Sequence, residues 1–258
     1  MEINASIDFF NQFKSSGYSV IESVLPSTIV DEVNAEIEIL SSIDDVDIYY
    51  DRSGNVRRIE NFTLKSNVLS QLSQDIQRFI NQSLLVDHHV SLFKDKVNFK
   101  PPGGEGFFAH YDGVFQFSDK AGQLKNGWYE YSDLFLNVLI ALDDFTLNNG
   151  ALEVSQVHPG DFAVLIKNTK MNGSPDLLSA VANQCAFYPV LVPAGSLVFF
   201  RNNVPHRSGP NLSSGMRRSV YYTYCVSESL GEGVYERYFA DKRQSTSKLK
   251  ALSDGLVE

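Results

Sequence analysis

His110 and Asp112 stand two residues apart in the stretch Phe107–Gly113, which reads FFAHYDG. On a β-strand, residues i and i+2 project from the same face. An imidazole and a carboxylate placed that way can reach one metal ion together. A third donor, His206, follows far downstream in FFRNNVPHRSGPN. Two imidazoles and one carboxylate leave coordination positions open, which is the donor set of non-haem Fe(II) oxygenases. A His-x-Asp pair without companions reads equally well as a structural hydrogen-bonded contact, so the companions decide.

Arg217 follows His206 by eleven residues, in LSSGMRRSVYYTY. The polar stretch Gly209–Gly215 reads as a turn between a strand ending near His206 and one starting near Arg217. In an antiparallel pair those two side chains would be neighbours. A guanidinium is a planar fork that matches a carboxylate bidentately, and Ser208 offers a second hydrogen bond. The pattern HYD, then HRSGPN, then Arg217 resembles the phytanoyl-CoA dioxygenase family of Fe(II)/2-oxoglutarate oxygenases. LFKDKVNFKPPGGEGFFAHYD and YFADKR are similar to its small-substrate branch, which includes 2-aminoethylphosphonate dioxygenase. The resemblance runs from GYSVIESVLP to YFADKR.

The resemblance implies that His110, Asp112 and His206 hold Fe(II). It implies 2-oxoglutarate as co-substrate, with Arg217 and Ser208 on its far carboxylate, and O2 as the oxidant. The expected reaction is hydroxylation of an unactivated C–H bond in a small polar molecule, releasing succinate and CO2. An amino acid, an amino-phosphonate and a natural-product intermediate all fit that description. Desaturation and epoxidation would share the same oxidising step. Halogenating relatives lack the carboxylate ligand, and Asp112 speaks against that chemistry. Outside the enzyme class, the alternative is a non-catalytic metal-binding jelly-roll protein, and Arg217 counts against it.

The elements that must position these residues fall into two halves. Ile7, Phe9, Phe10 and Phe13 form a helical stripe that Gly17 would stop. YSVIESVL reads as a short strand. Ser27 is an expected N-cap for a helix carrying Ile29, Val33, Ile37 and Leu40. Ser66 is the expected cap of a third, with Leu69, Leu72, Ile76, Phe79 and Ile80. Ser41–Lys65 between them is polar and reads as a loop or excursion. From Val90 onward the period changes to two, and turn clusters such as Pro101–Gly104 and Pro193–Gly195 separate the runs. That pattern predicts an antiparallel sandwich or barrel. The family resemblance implies a double-stranded β-helix, a jelly-roll, with the N-terminal helices packed on one sheet. The expected organisation is one mainly β domain over 1–258: helical support to residue 89, the β-core over 90–226, and a C-terminal extension over 227–258.

Alternation predicts further site residues. Asn137 should face the barrel interior with Phe135 and Leu139, as a candidate support for a metal ligand or contact with the co-substrate. Lys96 and Asn98 are candidates too, because an inward polar side chain must find a partner. Arg57 and Arg58, in RRIENF, are candidates for holding an anionic substrate group. Val114–Tyr131 carries Phe115, Phe117, Trp128, Tyr129 and Tyr131 among Gly113, Gly122 and Gly127. It reads either as a water-excluding lid whose Phe115 and Trp128 touch substrate, or as an excursion packed on the sheet. His158 reads as structural, His88 and His89 as solvated, and Arg218 as an outward charge.

Composition bounds the rest. The chain has 258 residues, 43% of them apolar, and a formal charge of −9. An acidic chain is a poor non-specific binder of nucleic acid. No apolar run approaches the roughly 20 residues that span a bilayer, and MEINASIDFF lacks the pattern of a signal peptide. Two cysteines, Cys185 and Cys225, read as free thiols in a reducing cytoplasm.

Overall fold

A computed structural model describes residues 2–226 and 233–246, apart from 44, 52, 53, 120, 171 and 172. The elements run α1 (Ile7–Ser16), β1 (Tyr18–Ile21), α2 (Ser27–Leu40), β2 (Asp47–Tyr50), β3 (Val56–Glu60), α3 (Asn67–Phe79), β4 (Val90–Lys100), β5 (Phe107–His110), β6 (Phe117–Ser118) and β7 (Leu124–Lys125). They continue with β8 (Phe135–Ala141), β9 (Leu152–Val154), α4 (Phe162–Leu165), α5 (Ser179–Ala182), β10 (Tyr188–Pro189), β11 (Leu197–Arg201), β12 (His206–Ser208), β13 (Arg217–Val226) and α6 (Val234–Thr246). Seven strands form one sheet in the order β1-β11-β8-β13-β4-β3-β2, and four form a second in the order β10-β9-β12-β5. The two sheets make the expected double-stranded β-helix.

Alternation explains both faces of the larger sheet. Val97, Val138, Ile140, Leu197, Phe199, Val220 and Tyr222 point outward, where they meet Phe9, Phe13, Val33, Ile37, Leu69, Ile76 and Phe79 of the three N-terminal helices. Each large apolar side chain buried there contributes about 1.5–3 kcal/mol. The next residues along the strands point inward. Leu139, Ala141, Val198, Phe200 and Tyr221 face Leu152, Val154, Val190 and Val192 of the smaller sheet and its flanks.

Caps fall where local chemistry puts them, with one exception. Gly17 ends α1 at φ 78°, and its N–H donates to the Phe13 carbonyl. Ser66 accepts from the Leu69 N–H at the start of α3. The expected cap at Ser27 is corrected: Pro26 occupies the cap position, and Ser27 is the first helical residue. Ser41–Lys65, expected as a loop or excursion, contributes two strands, β3 beside β4 and β2 at the sheet edge. β3 pairs with β4 through Arg58↔Asn98, Ile59↔Val97 and Glu60↔Lys96. Its polar residues concealed it, since the interior it faces is itself polar.

The C-terminal helix is tied into the same body. The Tyr235 hydroxyl donates to Asp95 at 2.6 Å, and Asp95 also accepts from the backbone N–H groups of Asn61, Phe62 and Thr63. Tyr238 and Phe239 share a core with Phe93, Trp128 and Phe135. The rest of the expected extension, 227–232 and 247–258, lies outside the described residues. Among the described residues no helix is long and apolar enough to cross a membrane.

Gly106 leads into β5, and a Cβ there would overlap the Ser208 carbonyl oxygen of β12. Gly106→Ala should therefore force β5 from β12. The expected cost is about 1–3 kcal/mol, read as a fall of several degrees in melting temperature. Metal affinity should fall with it, because those two strands carry both histidines.

Candidate metal centre

β12 and β5 pair antiparallel with His206 directly opposite His110. The ring centroids are 4.1 Å apart. Asp112 lies just beyond β5 rather than on it, so the same-face argument from strand geometry is replaced by a turn. The turn is fixed by Asp112 N–H donating to the Asn202 carbonyl at 3.0 Å and by Asn202 Nδ2 donating back to the Asp112 carbonyl at 3.1 Å. Gly113 follows at φ 75°, against the face of Trp128. The result places one ligand atom from each of His110, Asp112 and His206 within 4.8 Å of the others. His206 Nε2 is 3.5 Å from Asp112 Oδ2, and His110 Nε2 is 3.9 Å from Oδ1.

The second ring nitrogens set the tautomers. His110 Nδ1 lies 2.7 Å from the Phe108 carbonyl and His206 Nδ1 lies 3.0 Å from the Val204 carbonyl. Each Nδ1–H donates to an acceptor, which leaves both Nε2 lone pairs for a metal. Burial, and then His110, push His206 down to about 3, and burial lowers His110 as well. Burial alone would raise Asp112, but His206, Lys96 and His110 outweigh it and hold the carboxyl well below the usual range. At neutral pH the set is therefore two neutral imidazoles and one carboxylate, which suits a divalent first-row ion.

Asn137 stands behind this carboxylate. Its Nδ2 donates to Asp112 Oδ2 at 2.9 Å, and its Oδ1 accepts from Thr223 Oγ1 at 2.7 Å. Of the two expected roles, support of a site residue or contact with the co-substrate, the structure shows the first: Asn137 orients Asp112. It faces inward as alternation required, but its amide is engaged by Asp112.

Arg217 does not neighbour His206 along a shared ladder. β12 and β13 belong to different sheets, and the link between them is Lys100, which shares the Gly150 carbonyl with Arg217 and donates to Ser208 of β12. Arg217 is 3% exposed. It donates to the Gly150 carbonyl at 2.8 Å and to Ser219 Oγ at 3.3 Å, lies 4.7 Å over the Phe145 ring, and keeps a buried Nε without a partner. Beside it is Lys100, which the sequence reading missed. Lys100 is 1% exposed, and its ammonium donates to Ser208 Oγ at 2.8 Å, to the Gly209 carbonyl at 2.6 Å and to the same Gly150 carbonyl at 3.2 Å. Burial first, then Arg217 and Arg57, press it down to about 6. Among the described residues, no carboxylate forms an ion pair with either cation. The signal for Lys100 was present: Lys94, Lys96, Asn98 and Lys100 share one face of β4, opposite Val97 and Phe99.

The remaining candidates divide. Ser208 lies beside Lys100, as the co-substrate reading needs. Lys96 and Asn98 face the interior, and Asn98 Oδ1 is buried without a partner. Arg58 also faces inward, paired with Glu60 at 3.3 Å. Arg57 donates to the Phe99 and Glu105 carbonyls and lies 4.7 Å over the Phe107 ring of β5, the ring that Arg58 and Lys100 also approach. Trp128 is corrected from substrate contact to core, 6% exposed between Phe93 and Phe135. Phe115 is packed against the same cluster, so these two rings anchor the excursion on the sheet. His158 is structural as expected, hydrogen-bonded through Nδ1 to the buried Tyr111 hydroxyl. His88 and His89 are exposed. Arg218 pairs with Asp143 at 2.7 Å on the outer face.

Comparison with known proteins places this geometry. The chain is 32% identical over 167 residues to a methylphosphonate hydroxylase of Gimesia maris, a match covering 64% of this chain and 56% of that protein. It is 29% identical over 163 residues to a 2-aminoethylphosphonate dioxygenase of an uncultured bacterium, covering 63% and 55%. The matches thus span about half the length of these relatives. Among solved structures, EctD from S. alaskensis with bound iron superposes with a TM-score of 0.69 at 20% identity, covering 91% of this chain and 84% of that one. That likeness shows the fold. Residues 13–219 match the family described as phytanoyl-CoA dioxygenase, and the chain belongs to that family.

Proposed function

We propose that this protein is an Fe(II)- and 2-oxoglutarate-dependent oxygenase that hydroxylates a C–H bond of a small polar molecule. The observation that carries this reading is the triad His110, Asp112 and His206 in the same barrel as two buried basic side chains, Arg217 and Lys100, that have no carboxylate partner among the described residues. A structural metal site needs no such pair. A carboxylate supplied from outside does fit there: Arg217 has an orphaned Nε, and Lys100 is desolvated without a carboxylate. The names of the two relatives favour a phosphonate as substrate. Desaturation and epoxidation remain within the reach of the same site.

Bound iron, 2-oxoglutarate and O2 together would supply the oxidising power, with 2-oxoglutarate leaving as succinate and CO2. The protein's own residues do the positioning. His110 and His206 present Nε2 because their Nδ1–H groups are engaged by carbonyls. Asn137 and Thr223 hold Asp112 in one orientation. Arg217, Lys100 and Ser208 would hold the far carboxylate of the keto-diacid and so fix its distance from the metal. Phe145 and Phe200, against Arg217 and His206, keep these polar groups out of bulk water, which strengthens each contact.

With Fe(II) and O2, the purified protein should convert 2-oxoglutarate to succinate, slowly alone and faster with its substrate. Asp112→Ala should abolish that turnover while leaving the melting temperature nearly unchanged. Succinate formation by Asp112→Ala at the wild-type rate would remove the triad from the reaction.

Asn137→Leu removes the donor to Asp112 without touching the ligands. Iron affinity should fall about 10–100-fold, measured by competition with a chelator. An unchanged affinity would make the Asn137 contact incidental.

Arg217→Ala should weaken 2-oxoglutarate binding by about 2–5 kcal/mol. Lys100 gives the pocket a pH dependence. With its value near 6, the ammonium is present below that pH and lost above it. A bound carboxylate favours the charged form and raises that value. Affinity for 2-oxoglutarate should therefore fall as pH rises above about 6, by up to about tenfold per unit. Lys100→Met should flatten that slope, read from titrations at several pH values.

A further inference from the structure

β4 lines the interior with cations at two levels. Lys100 lies opposite Arg217 on β13, whereas Lys96 lies opposite Tyr221 and Lys94 opposite Thr223. Four residues of strand separate Lys96 from Lys100, roughly 13 Å along the backbone. The upper pair is spoken for by the keto-diacid. The lower level belongs to the metal end of the barrel, because Thr223 is the residue that holds Asn137 against Asp112.

At that lower level the charges do not balance. Glu60 is fully buried, and its one carboxylate is shared by Lys242 at 2.6 Å, Arg58 at 3.3 Å and Lys94 at 3.5 Å. Lys96 is next to this group. Its ammonium lies 4.4 Å over the Tyr221 ring, and among the described residues it makes no hydrogen bond and no ion pair. A half-buried ammonium with only a ring beneath it has lost much of its hydration, and the Asp112 carboxylate acts on it only from beyond ion-pair contact. The neighbouring Asn98 Oδ1, on the same face of β4, is buried and likewise unpartnered. Two unsatisfied polar groups on one wall, beside a surplus of positive charge and facing the metal ligands, describe a seat for a small anion that also carries a donor.

We propose that Lys96 is the residue that receives the anionic head of the substrate, a doubly charged tetrahedral oxyanion such as a small phosphonate, and holds its carbon end toward the metal. Lys94 and Arg58, shared on Glu60, add long-range attraction without being the contact. The sequence reading looked to Arg57 or Arg58 for this role. Arg57 is engaged by the Phe99 and Glu105 carbonyls and lies over the Phe107 ring at the Lys100 end of the barrel, and Arg58 is paired with Glu60. Asn98 accepts from a hydroxyl or ammonium of the same ligand. This deepens the iron and 2-oxoglutarate reading above and rests on it.

The test is anaerobic calorimetry in two steps. 2-Oxoglutarate is titrated into the Fe(II)-loaded protein, and then methylphosphonate, 2-aminoethylphosphonate and acetate are each titrated into the ternary complex. Wild type should bind 2-oxoglutarate, and at least one phosphonate more tightly than acetate. Lys96→Met should weaken that phosphonate by about tenfold or more and change 2-oxoglutarate affinity by less than about threefold. Lys96→Arg should recover part of the loss. Intact 2-oxoglutarate binding in Lys96→Met also shows that the variant is folded. If wild type binds 2-oxoglutarate and neither phosphonate, or if Lys96→Met binds phosphonate as wild type does, the seat is not at Lys96. If Lys96→Met loses 2-oxoglutarate as severely as Arg217→Ala does, Lys96 serves the co-substrate and the proposal is overturned. A wild-type protein that binds no 2-oxoglutarate with Fe(II) overturns the parent reading instead.

Discussion

The ladder between β4 and β13 is the constraint on which the rest of the molecule depends. It runs from Arg217↔Lys100 to Val226↔Val90, with one irregularity after Thr223. Because side chains alternate, a single register decides two things at once. Val97, Val220 and Tyr222 go to the helices and form the largest apolar core. Lys94, Lys96, Asn98 and Lys100 go to the interior with Arg217, Ser219 and Thr223. A slip of one residue would expose the apolar set to the barrel and send four polar side chains into the helical core. The burial of the outer face is thus what holds cations in a place that disfavours them.

An interior this polar needs local compensation. Glu60 supplies some of it through Arg58, Lys94 and Lys242, the last reaching in from α6. Asp95, on the outer face of the same strand, gathers backbone donors from 61–63 and the Tyr235 hydroxyl. These two carboxylates fasten the C-terminal helix to β4. Removing one partner from such a group leaves a buried charge uncompensated, which costs more than the intact pair is worth. Lys96, Lys100 and Arg217 are left outside this compensation, and that is the physical reason to assign them to ligands.

The metal centre depends on the smaller sheet in a different way. β5 and β12 are only four and three residues long, too short to be rigid alone. Their pairing brings His206 opposite His110. Asn202, next to the end of β11, clamps the backbone at Asp112 from both directions. The larger sheet then reaches across the barrel through Asn137 and Thr223. Ligands from one sheet are oriented by side chains of the other, so the site exists only when both are in place.

The sequence by itself determined the donors and their class. His110, Asp112 and His206 were legible as a donor set, and Ser208 and Arg217 as candidates for a carboxylate, because each partner requires particular residue types and types are written in the sequence. The jelly-roll was legible because period-two alternation over β4, β8 and β13 reflects one buried apolar face. Helix stops at Gly17 and starts at Ser66 were legible because caps act within a few residues. Tertiary structure decided what depends on residues far apart. It hid β2 and β3, whose partners are polar and so break the apolar pattern. It chose Asp112 as the partner of Asn137, put Trp128 into the core, and set Lys100 beside Arg217 from a strand 117 positions away. Whether a lysine is solvated, paired or buried without a counter-ion is a property of its surroundings, and those are assembled only when the two sheets close.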